Sequence, residues 1–122
     1  MIMPGLDSVP AECRGVDFDK AALRLPAKVG ALFLAAGEQR LRELDQAMAA
    51  GNAAAVMDAA HSLASLTGLL PVQALASYAR EIYAAGEQGD LPSGGHAHER
   101  LSLVLGWIFE KLRSMGYEAN AQ

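Results

Sequence analysis

The sequence predicts an all-α protein, an antiparallel up-down-up-down four-helix bundle with a short extra helix at its N-terminal end. Three observations predict it. Apolar residues recur at three- and four-residue spacing in four separate stretches, the pattern of helices that each bury one face. Alanine is abundant, β-branched residues are sparse, and no stretch alternates with the period of two that a half-buried strand needs. Glycine, proline and asparagine fall between the stretches, so the connections are short and successive helices run antiparallel.

Residues 1–16 hold Pro4, Gly5, Pro10 and Gly15 and read as an irregular lead-in, before a bundle domain over 17–116 and a tail over 117–122. Asp17 or Asp19 is a suitable N-cap for a short helix from Lys20 to Leu25. Pro26 then fits the first turn of a long helix, which Val29, Leu32, Phe33, Ala36, Leu41, Leu44 and Met48 carry to about Ala50. Gly30 and Gly37 interrupt this helix and suggest a kink. Gly51 supplies its C-terminal cap and Asn52 the next N-cap.

A second long helix runs from about Ala53 to Leu69. Pro71 closes it, because a residue before proline is pushed out of the helical region. Val72, Leu75, Ala79, Ile82 and Tyr83 define a third, ending near Gly86. The stretch from Gly86 to Gly95, rich in Gly, Pro and Ser, reads as a loop. Leu101, Val104, Leu105, Ile108, Leu112 and Met115 define the last helix, with Trp107 and Phe109 at the margins of its stripe and Gly116 as its stop.

Composition narrows the function. With 52% hydrophobic and 20% charged residues in 122, the chain is one globular domain able to build a core without metal or disulfide staples. A net charge of −4 and scattered basic residues offer no footprint for nucleic acid or a membrane surface. Cys13 stands alone, which fits a reducing compartment, and in an irregular segment it is expected to be idle. No apolar run reaches membrane-spanning length and no signal-peptide pattern opens the chain, so a soluble, cytoplasmic monomer is expected.

His61 is the residue that points to chemistry. At about 100° per residue, Val56, Ala59, Ala60, Leu63, Leu66, Thr67 and Leu70 gather roughly opposite its ring. The imidazole therefore faces water at the middle of the helix's exposed side. Met57, Ala64, Ser65 and Gly68 surround it, uncharged and mostly small. An imidazole with its ordinary pKa near 6.5 keeps a nucleophilic lone pair at neutral pH. Such a ring on a low, neutral surface is available to a docking protein.

The stretch Ala60-His61-Ser62-Leu63, with Gly68 seven residues past the histidine, follows a leucine-bearing helix that ends in Gly51-Asn52. It precedes a helix ending in Gly86-Glu87-Gln88-Gly89-Asp90 and a closing amphipathic helix. From about Val16 to Gly116 the chain thereby resembles the histidine-containing phosphotransfer (HPt) domains of bacterial two-component phosphorelays. Their usual core is Ala-His-x-Leu-Lys-Gly; here Ala64 stands where lysine is usual and Ser65 where glycine is usual.

The resemblance implies that His61 accepts a phosphoryl group from a receiver-domain aspartyl phosphate and passes it to another receiver. It implies a phosphocarrier without kinase activity of its own, holding no cofactor, with Mg²⁺ on the receiver. The partner would be a response-regulator receiver domain or a hybrid sensor kinase, docking over Met57, Asp58, Ala64, Ser65 and Gly68. The absent lysine, and Asp58 one turn before the histidine, imply a less stable phosphohistidine or slower transfer. Arg24, Lys28 and Arg80 are basic residues that a neighbouring helix could bring to the site.

Two other functions compete. One is an HPt-like interaction module that binds and modulates a receiver or sensor kinase without relaying. The other is a metal-dependent activity using His61, His96 and His98; the two loop histidines are poorly spaced for it, no carboxylate or cysteine set completes a site, and no metal is expected. Ser62 and Asp58 beside His61 make no hydrolytic triad, since neighbours on one helix point in different directions.

Overall fold

A computed structural model describes residues 9–18 and 25–117. Four helices make up the body: α1 (Ala27–Ala50), α2 (Ala53–Thr67), α3 (Gln73–Glu87) and α4 (Gly95–Ser114). Each packs on the next in chain order and α4 closes the ring against α1. This is the expected bundle, and no strand occurs among the described residues.

The local signals act as expected. Gly30 N–H donates to the Pro26 carbonyl at 2.9 Å, so the proline opens α1. Gly51 ends it in the left-handed region at φ +68°, and the Asn52 N–H returns to the Ala47 carbonyl at 3.0 Å. Asn52 then turns its side chain onto the first turn of α2, accepting from Ala55 N–H at 3.1 Å. Leu34, Leu44, Leu63, Leu75, Ile82, Leu101, Leu105, Ile108 and Leu112 interleave in the fully buried centre. At roughly 1.5–3 kcal/mol for each such side chain, this burial is the main stabilising contribution.

Several expectations need correcting. α1 runs unbroken through Gly30 and Gly37, and the two glycines have a packing role that the sequence did not suggest. They let rings lie against its backbone: a Cβ on Gly30 would fall 2.1 Å from the Tyr117 ring, and one on Gly37 3.0 Å from the Phe109 ring. Tyr117, the first residue of the expected tail, is buried and donates its hydroxyl to the Leu25 carbonyl at 2.6 Å. Trp107 and Phe109 are interior rather than marginal, 7% and 4% exposed. The indole meets Phe18 edge-on at 5.3 Å between centroids, and Phe109 meets Phe33 at 5.9 Å.

The loop expected up to Gly95 is shorter than its composition suggests. Leu91–Gly94 form a 3-10 turn that leads straight into α4. His96 and His98 thus stand on helix, because burial of Ala97 draws that first turn onto the core. His98 Nε2 lies 2.7 Å from Asp45 Oδ1 of α1, and Arg113 pairs with Glu38; both contacts tie the α1–α4 seam. The short helix expected from Lys20 to Leu25 falls, except for Leu25, outside the described residues, and Leu25 itself is not helical.

The expected lead-in contributes a 3-10 turn, Ala11–Cys13, that docks on the bundle. Cys13 is 2% exposed and its thiol is pushed up to about 11, first by burial and then by the Glu12 charge. Glu12 accepts from Arg100 Nε at 2.9 Å and Nη2 at 2.6 Å, and from the Tyr78 hydroxyl at 2.7 Å. One carboxylate thereby joins the turn to α3 and α4. The Arg100 hydrogen bonds chiefly, with help from Tyr78, hold the Glu12 carboxyl down at about 2.

A carboxyl depressed on folding stabilises the native state above its unfolded pKa and loses that contribution as pH falls through its folded one. Glu12 therefore contributes fully above about pH 4.5 and progressively less toward pH 2. Thermal melts of Glu12→Gln should show Tm lowered by about 5 °C at pH 7, with the gap from the unsubstituted protein closing toward pH 2. A gap unchanged over that range would show that the ionised carboxylate is not what clamps the turn.

Candidate functional site

The site is built on α2 and completed by α3. Alanines and the Asn52 cap favour helix, and Val56, Ala59, Ala60, Leu63 and Thr67 bury the inner face of α2. Thr67, the one polar member, donates to the Ala64 carbonyl at 3.2 Å and is satisfied within the helix. With that face pinned, His61 is left exposed on the outer side. Ser65 and Gly68 are exposed along the same side, while Met57 and Ala64 are half-buried. The Ser65 hydroxyl donates back to the His61 carbonyl at 3.4 Å, which keeps it low against the helix.

The antiparallel packing of α2 and α3 sets what stands beside the imidazole. Met57 lies over Gly86, where a Cβ would fall 2.7 Å from Met57 Cγ and 3.2 Å from the Ala53 carbonyl oxygen. The Tyr83 ring faces His61 at 6.4 Å between centroids, tilted by 54°. One turn further on, Ala64 meets Ala79 and Arg80. His61, Ala64, Ala79, Arg80 and Tyr83 together line an open hollow of about 260 Å³. Buried Ala79 and half-buried Ala64 leave the space that larger side chains would fill.

Of the basic residues the sequence offered, Arg80 lines this hollow. Lys28 stands exposed in the first turn of α1 and is not among its lining residues, and Arg24 lies outside the described residues. Asp58 takes the other flank of α2. It lines a groove with Glu43 and Gln46 of α1. The Arg40 guanidinium there is raised mainly by its Glu43 hydrogen bond and to a lesser degree by the Asp58 charge.

Tyr83 is a site neighbour that periodicity missed, since it read simply as part of an apolar stripe. Symmetric counting from the Gly68–Val72 connection pairs position 61 with 79, so the meeting of His61 with Tyr83 depends on how α2 and α3 are slid past each other. Leu69 is a second such residue, 49% exposed just past the end of α2. A protein docking over Gly68 would meet it.

The four-helix bundle thus carries an exposed histidine on the outer face of α2. The family model described as the Hpt domain matches residues 29–110, taking in all of α2 and α3, and the chain belongs to that family. No curated protein and no solved structure matches it. It is accordingly a phosphotransfer module of two-component signalling, a family of phosphocarriers rather than kinases that interact with receiver domains. Among the described residues no helix is long and apolar enough to cross a membrane.

The three histidines do not converge. His61 faces α3, His98 is engaged with Asp45, and no group of three His, Cys, Asp or Glu residues among those described could hold a metal ion. Titration calorimetry with zinc or copper at micromolar protein should give no saturable heat. A stoichiometric site lost on His98→Ala would contradict this.

Proposed function

We propose that this protein is a phosphocarrier in a multistep phosphorelay, with His61 as the covalent acceptor. The observation that carries the proposal is the exposed imidazole at the centre of a neutral, low face on α2, within the Hpt-matched residues. The lone pair of the unprotonated ring nitrogen attacks the phosphorus of a receiver's aspartyl phosphate. An N–P bond forms while the P–O bond to aspartate breaks, and the carboxylate leaves with the electron pair. The other ring nitrogen sheds its proton to water, and the reverse sequence delivers the group to a second receiver. Mg²⁺ and a receiver lysine supply charge neutralisation from the partner's side.

This division of labour explains what the face needs. The reacting group arrives with its electrostatic machinery, so this chain contributes a positioned nucleophile and a surface that lets the receiver's rim approach. Met57, Ala64, Ser65 and Gly68 provide that approach, and Asp58 keeps its charge toward α1.

Incubation with a phosphorylated receiver domain should transfer acid-labile, base-stable label to this protein. Loss of label in His61→Gln would follow, whereas retained label would overturn the assignment. A module that binds receivers without relaying, the reading favoured by Ala64 in place of lysine, would instead bind a receiver equally well as His61→Ala and take no label. Ser65→Trp should cut transfer by roughly tenfold or more with Tm unchanged, because a bulky ring on an exposed helix face blocks docking without disturbing the core. Undiminished transfer in that variant would place the receiver contact elsewhere.

A further inference from the structure

We propose that Arg80, reaching across from α3, supplies the cation that holds the phosphoryl group on His61, in place of the lysine that α2 lacks at position 64. This rests on His61 being the acceptor. Three observations carry it. The first is register: with Met57 opposite Gly86 and His61 opposite Tyr83, antiparallel counting sets Ala64 opposite Arg80. Arg80 thus stands on α3 at the level, one turn past the histidine, where a lysine on α2 would stand.

The second is space. Arg80 and His61 line one hollow of about 260 Å³, floored by Ala64 and Ala79, large enough for a phosphoryl group between ring and guanidinium. The third is availability. Arg40, Arg100 and Arg113 are held by Glu43, Glu12 and Glu38, whereas no carboxylate among the described residues pairs with Arg80. Its one hydrogen bond among the described residues is a long one, Nη2 to the Ser77 hydroxyl at 3.3 Å. A planar guanidinium fork can meet two phosphoryl oxygens at once, a geometry that a flexible ammonium does not pre-organise.

Arg80 would act on the lifetime of the phosphorylated state. In hydrolysis water adds to phosphorus, the N–P bond breaks, and the departing ring nitrogen takes the electron pair and a proton as inorganic phosphate is released. A guanidinium on the phosphoryl oxygens screens their charge and opposes protonation of the ring, so it slows this loss.

The test uses phosphoramidate, a small donor that needs no receiver, to load the full chain, followed by measurement of the half-life of the labelled histidine. Arg80→Gln should shorten that half-life roughly fivefold, the scale of one partly exposed ion pair. Arg80→Lys should retain most of it, and adding Ala64→Lys to Arg80→Gln should restore it. A purely structural role for Arg80 would not be rescued by a cation on the other helix. Equal half-lives for Arg80→Gln and the unsubstituted chain, both labelled at His61, would overturn this proposal and leave the relay reading standing. Failure of the unsubstituted chain to label at His61 would remove both.

Discussion

The close antiparallel packing of α2 on α3 is the constraint from which the site follows. It is possible because the contact is made of small residues: Gly86 admits Met57, and Ala60 and Ala79 are fully buried between the two helices. Close approach of the backbones brings side chains at matched levels within reach of each other. Tyr83 thereby comes to His61, and Arg80 to the space beyond it. Larger side chains along that interface would separate the helices and move Tyr83 and Arg80 away from His61.

The rest of the bundle keeps that pair in register. Aromatic rings do much of this: Phe33 against Phe109 and Trp107 against Phe18 fill the layer between α1, α4 and the N-terminal segment. Tyr117 lies on the first turn of α1, where Gly30 leaves room for its ring. On the opposite side Glu12 links α3 and α4 through two charge-assisted hydrogen bonds to Arg100 and a third from Tyr78. None of these side chains lines the hollow beside His61.

A carrier of this kind asks little of its own residues at the reacting centre. The nucleophile must be exposed and correctly turned, and the protein around it must neither crowd the partner nor repel the charged group. The two flanks of α2 meet those demands differently. Asp58 lies toward α1, near Arg40 and Glu43, while the side toward α3 carries the ring of Tyr83 and Arg80, with which no carboxylate among the described residues pairs. Asp58 is thus turned to the flank where Arg40 and Glu43 stand, and a cationic side chain lines the hollow on the other.

Most of the architecture was legible in the chain because it is written in short-range terms. The Gly51-Asn52 step, the apolar stripe of α2 and the outward turn of His61 depend on helical geometry and capping, both set within a few residues. Composition misled where burial outweighed it: Leu91 to His98 reads as loop, yet anchoring of Ala97 draws the segment into a 3-10 turn and helix. Trp107 and Phe109 lie beside the main stripe of α4, and a neighbouring segment had to cover them before they became interior. By itself the sequence determined four helices and which ring would face outward, since a 3.6-residue repeat carries that information locally. Only the tertiary structure decided that Arg80 and Tyr83 share the hollow with His61 and that Glu12 clamps α3 to α4, because those meetings depend on how helices are rotated and slid against one another.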